Sequence, residues 1–221
     1  HCLLRRQRQM CIRDRINNPE MLNSYKGLVA CGGFSYGDVL GAGRGWANKI
    51  IHNENAYNAL SLFFNSKDKF TLGVCNGCQM LSNLKEIIPG SSHWPSFTHN
   101  NSNQFEARQV LVKIPKSNSI LFKGMHESII PIIVSHGEGK VTVSESNNLK
   151  KITMAYVDDS GKKTTSYPNN PNGSVSGATG FCNNDGRINI MMPHPERLMH
   201  INNFSWAPSK WKTSPWVKIF T

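Results

Sequence analysis

The chain has 221 residues, 38% of them hydrophobic and 18% charged, with 25 Lys and Arg against 14 Asp and Glu. That composition supports the buried core of one domain and excludes a disordered chain; no apolar run reaches the roughly 18 residues of a membrane span, so no membrane partner is expected. The net charge of +11 fits a solvated basic surface or a nucleic-acid-binding face, and lysines that come singly or in pairs rather than in blocks favour the first.

The first fifteen residues carry Arg5, Arg6, Arg8, Arg13 and Arg15 against Asp14 alone. They show no helical face and read as a basic segment foreign to the domain, which then spans 16–221. Cysteines stand at 2, 11, 31, 75, 78 and 182 without a secretory leader, which predicts a cytoplasmic protein with mostly free thiols.

From about residue 26 the pattern is α/β. Gly27-Leu28-Val29-Ala30-Cys31 reads as a short strand ending in Gly32-Gly33, and Gly41-Ala42-Gly43-Arg44-Gly45 as a tight loop lacking the ending of a P-loop. Residues 44–64 have helical spacing, and 70–74 form a second buried-type strand. That strand runs into Cys75-Asn76-Gly77-Cys78-Gln79 and a helix that Pro89-Gly90 terminates. Period-two alternation across 104–158 predicts several strands, some antiparallel. A Gly/Asn/Pro-rich connection covers 160–177, and a last strand, 188–192, ends at Pro193-His194-Pro195-Glu196.

The sharpest feature is Gly73-Val74-Cys75-Asn76-Gly77 between a strand and a helix. A G-x-nucleophile-x-G pattern in that context is a nucleophile elbow. It puts Cys75 Sγ at a helix start, where the dipole favours thiolate and the Asn76 N–H meets a developing oxyanion. A cysteine that attacks an acyl carbon needs a base, and His194 at a strand end is the candidate, with Glu196 two positions on to orient it. Gly32, Gly33 and Phe34 would complete the oxyanion site if the first strand neighbours the elbow strand. Cys75-x-x-Cys78 also permits a thiol–disulfide exchange pair; zinc would need ligands that no second CxxC or HxxxH supplies, so no metal is expected. Trp206, Trp211 and Trp216, interleaved with lysines, read as a tail packed on the domain or as a stacking platform for bases.

Taken together, the segments 31–38, 73–79, 135–139 (Ser-His-Gly-Glu-Gly), 167–174 and 192–197 (Met-Pro-His-Pro-Glu-Arg) resemble class I glutamine amidotransferases. Within them they are most similar to the glutaminase domain of phosphoribosylformylglycinamidine synthases. The resemblance implies a flavodoxin-like mixed, mostly parallel sheet flanked by helices. It also implies a Cys75–His194–Glu196 triad hydrolysing L-glutamine, with Gln79, Ser135 and His136 touching the substrate. No cofactor is implied in this domain; ATP and Mg would serve a synthetase domain of the same enzyme, which receives the ammonia and makes formylglycinamidine ribonucleotide. Cys78 and the 203–216 ending resemble the long single-chain form more than a free-standing glutaminase subunit. The family's domain begins with a strand and helix ahead of residue 27, so the resemblance implies that this unit is missing here and that the chain is a fragment.

Overall fold

The computed structural model describes residues 19–34, 41–143 and 149–221. The basic segment, the boundary at residue 16 and positions 35–38 of the first resembling segment lie outside them.

Among the described residues the strands are β1 (Gly27–Ala30), β2 (Phe70–Val74), β3 (Ser96–Thr98), β4 (Glu106–Lys113), β5 (Ile129–His136), β6 (Lys140–Thr142), β7 (Ile152–Tyr156), β8 (Ala178–Cys182) and β9 (Ile188–Met191). Seven form one mixed sheet in the order β1-β2-β9-β8-β7-β4-β5, and β3 pairs with β6 in a separate ribbon. Parallel pairing joins β1, β2 and β9. The pairs from β9 through β8, β7 and β4 to β5 are antiparallel. The expected α/β fold is present, and β1 does neighbour the elbow strand. The sheet's parallel end therefore carries three strand ends pointing the same way, which is where an α/β sheet assembles a site.

The helices are α1 (Arg44–Ile51), α2 (Glu54–Asn65) and α3 (Asn76–Asn83). The single helical stretch expected over 44–64 is two helices. Asn53 is in extended backbone, and its side chain accepts from the Ala56 N–H at 2.9 Å, capping α2 and ending the run from α1. Strand β8 was not foreseen: all five of its residues are buried, so it lacks the alternation that marks a half-exposed strand. Leu72, Val74, Ile188 and Ile190 of the central strands belong to one buried apolar cluster with Phe63, Phe64 and Leu81.

The tail packs on the domain only in part. Trp216 is fully buried and donates its indole N–H to the Pro131 carbonyl at 2.7 Å, Trp211 meets Phe204 edge to face, and Trp206 is exposed. Strand β5 ends the sheet order, where a proline without an N–H is tolerated. Trp216→Phe removes the donor from Pro131 and shrinks a packed side chain, and should cost about 2 kcal/mol in urea denaturation. An unchanged midpoint would show that the tail does not brace the sheet.

Candidate active site

The elbow is built as its glycines demand. Cys75 joins β2 to α3 with φ 53° and ψ −113°, a left-handed conformation that costs a side-chain-bearing residue about 1–3 kcal/mol. The surroundings hold it there because the flanking positions carry no side chain. A Cβ on Gly73 would sit 2.6 Å from Leu81 Cδ1 and 2.8 Å from the Gly77 carbonyl oxygen. A Cβ on Gly77 would sit 2.0 Å from the Ala30 carbonyl oxygen, so α3 lies directly against the end of β1.

His194 reaches the same place from β9. Its N–H donates to the Ile133 carbonyl at 2.8 Å, which ties the residue to β5. Pro195 then opens a short 3-10 turn (Pro195–Leu198) that brings Glu196 Oε1 to 2.6 Å from His194 Nδ1. A carboxylate at that distance makes Nδ1 the protonated nitrogen and leaves Nε2 for another partner. Nε2 is buried and meets no group in regular hydrogen-bond geometry. Burial lowers the ring's pKa, but the approach of Cys75 and then of Glu196 outweighs it and raises the value from 6.5 to about 9. The Cys75 thiol itself faces the Ser135 carbonyl at 3.8 Å, a weak contact.

Gly32 links the two. A Cβ there would stand 2.7 Å from His194 Cε1 and 3.1 Å from Cys75 Cβ. Imidazole and thiol-bearing carbon thus flank one methyl-sized gap that only a glycine leaves open. Next to it, the Asn76 side-chain amide donates to the Gly33 carbonyl at 2.7 Å. A trans peptide holds its N–H opposite its C=O, so this bond also fixes the direction of the Phe34 N–H.

Gly33, Phe34, Asn76, Gln79, Ser135 and His136 all line one cavity of about 350 Å³ with Cys75 and His194. Gln79 is tied by its Nε2 to the Glu138 carbonyl at 2.5 Å. His136 is buried, and among the described residues neither ring nitrogen has a hydrogen-bond partner; burial and the nearby His194 press its pKa down to about 3, so the ring stays neutral. Cys78 is fully buried, and burial pushes its thiol well above 9. The second thiol of the CxxC is thus closed off from solvent.

Five cavity-lining residues were not foreseen: His99, Phe105, Gly137, Glu138 and Arg197. Glu138 and Arg197 stand inside segments that carry the family resemblance, so a signal was there; nothing local marked His99 or Phe105. Glu138 sits on the turn between β5 and β6, and Oε2 accepts the Ala42 N–H at 2.6 Å, pinning the glycine-rich loop. The turn is braced from below. Asn100 Nδ2 donates to the His136 carbonyl at 2.8 Å and Asn100 Oδ1 accepts the Gly139 N–H at 3.0 Å, while Asn172 Nδ2 donates to the Gly139 carbonyl at 2.8 Å.

Among the described residues, no cluster of metal-ligating side chains is present, and no helix is long and apolar enough to cross a membrane. The fold is similar to that of PurLQS from Thermotoga maritima, at 24% identity and a TM-score of 0.63, over 89% of this chain and 77% of that one. A glutamine amidotransferase from Thermotoga maritima aligns at 18% identity and a TM-score of 0.43, over 79% of this chain and 58% of that one. The family model of the CobB/CobQ-like glutamine amidotransferase domain matches residues 5–221. The match covers nearly the whole sequence, and the chain belongs to that family.

Proposed function

We propose that this site hydrolyses the side-chain amide of L-glutamine through Cys75, His194 and Glu196, and that its ammonia feeds the synthesis of formylglycinamidine ribonucleotide. The observation that carries the first half is the gap at Gly32, which sets a strained thiol and a carboxylate-held imidazole on either side of one point. The second half rests on the sequence segments and on the structural likeness to PurLQS.

In the first step the thiol proton of Cys75 passes to His194 Nε2, giving the thiolate–imidazolium pair that the raised pKa of the ring favours, and Cys75 Sγ bonds to the amide carbon. The carbonyl oxygen becomes an oxyanion, held by backbone N–H groups at the start of α3 and around Gly33 and Phe34. The carbon–nitrogen bond then breaks, and His194 returns the proton to the departing nitrogen, so ammonia leaves and a thioester remains. Water, deprotonated by the same imidazole, cleaves the thioester to glutamate and free thiol. Glutamine and water thus give glutamate and ammonia. The thiol and Nε2 need not be aligned beforehand, because such hydrogen bonds tighten when substrate fills the site.

ATP and Mg would act on the synthetase domain that receives the ammonia, which in the single-chain form is joined to this domain; this domain needs no cofactor for its own step. Treatment with a diazoketone analogue of glutamine tests the site directly. Mass spectrometry should find one adduct, on buried Cys75; an adduct on exposed Cys31 instead would refute an activated thiol at the elbow.

The imidazole predicts a pH dependence. The folded ring holds its proton more tightly than the free side chain at 6.5, so it adds stability below that pH and loses it as pH rises through about 9. Glu196→Gln keeps an acceptor for Nδ1 but removes a charge, and should move the titration of His194 downwards in NMR. No movement would mean that Glu196 does not support the imidazolium.

A further inference from the structure

The amide chemistry leaves two charged groups of the cavity unused, Glu138 and Arg197. Among the described lining residues, Glu138 is the one carboxylate and Arg197 the one guanidinium; the other ionisable neighbours are Cys75 and the imidazoles of His99, His136 and His194. Glu196 is engaged by His194 Nδ1. Glu138 Oε2 is occupied by the Ala42 N–H, and among the described residues the partner of Oε1 is His99 Nε2 at 3.4 Å. That ring is 75% exposed, whereas the Glu138 side chain is 21% exposed. One carboxylate oxygen of this cavity-lining residue is therefore fixed by backbone, and the other has a displaceable partner. The backbone beneath it is held by Gln79, Asn100 and Asn172 and cannot easily swing away.

We propose that Glu138 Oε1 receives the α-ammonium of the amino-acid substrate and so makes the site select an α-amino acid over a simple amide. The inference rests on reading this cavity as the glutamine site. A zwitterionic ligand brings its ammonium into a cavity that already holds a guanidinium and a proton-binding imidazole. An ammonium desolvated there needs a countercharge, and the described lining offers one. A charge-assisted hydrogen bond from an ammonium is stronger than the present contact to His99.

The test pairs a residue change with a substrate change. L-Glutamine is compared with 4-carbamoylbutanoate, which lacks the α-amino group, in the full chain and in Glu138→Gln. The glutamine side chain keeps an oxygen for Ala42 and loses only the charge. The unaltered protein should favour L-glutamine by about 30-fold in kcat/KM. Glu138→Gln should erase that preference through KM, with kcat and the analogue's kcat/KM nearly unchanged. Equal losses for both compounds, with the preference kept, would overturn the proposal and make Glu138 a brace for the 41–43 loop. Should the variant unfold, calorimetric binding of the two compounds to Cys75→Ala decides the matter, since equal Kd values overturn the proposal. Hydrolysis and binding of neither compound would instead overturn the glutamine reading itself.

Discussion

Cys75→Ala should lower glutamine-dependent turnover by ~10⁴-fold or more, while synthesis from added ammonia by the intact enzyme continues. The size follows from the role: without the sulfur no thioester forms, and the imidazole and oxyanion donors act on bound water alone. On the proposed function the ammonia is used at a separate synthetase site, so the ammonia reaction should survive a change that removes one buried atom at the elbow. Cys78→Ala is the matched control. It empties a small buried space at the first turn of α3, should cost about 1 kcal/mol of stability, and should leave glutamine turnover in place. Equal damage from the two changes would favour a dithiol chemistry and defeat the amide-hydrolysis reading. Loss of the ammonia reaction in Cys75→Ala would show that the elbow is needed for the synthetase fold, and not only for the thiol.

The sequence made the elbow legible because its constraints are local. Gly73 and Gly77 are required by contacts within one strand–turn–helix unit and with the adjoining end of β1, and such a unit writes its demands into five consecutive positions. His194 and Glu196 were legible for the same reason, since two residues of separation suffice to join ring and carboxylate. What could not be read is what depends on distant segments meeting. Glu138 pins Ala42 from 96 positions away, and no local spacing encodes that. His99 enters the cavity from the segment leading out of β3, a strand too short to show a period. Strand β8 was hidden because burial on both faces erases alternation, and Gly180 within it weakens any strand propensity. The break between α1 and α2 was legible in principle. Asn53 followed by Glu54 is a helix-start signal, but the apolar spacing continues across it.

Gly32→Ala should disable the chemistry with a single added methyl group. The residue's φ is not in the left-handed region, so the backbone accepts an alanine, unlike Gly33 at φ 132°. The added methyl would nevertheless meet His194 Cε1 at 2.7 Å and Cys75 Cβ at 3.1 Å. Neither neighbour is free to yield. The ring is held by Glu196 on one side and by the Ile133 carbonyl through its own backbone, and Cys75 is locked in the elbow. The methyl therefore wedges imidazole from thiol. Displacement by about an ångström at reacting groups costs on the order of 10²-fold, so kcat for glutamine should fall by about that factor with KM little changed, while the overpacking costs about 1–3 kcal/mol of stability. Gly33→Ala serves as the contrast. No atom of the described residues lies within 4 Å of its Cβ position, so its penalty is backbone strain and should appear in Tm as well as in kcat. If Gly32→Ala turns over glutamine at the unaltered rate, the thiol and the imidazole do not work across that gap, and the proposed catalytic pairing is wrong.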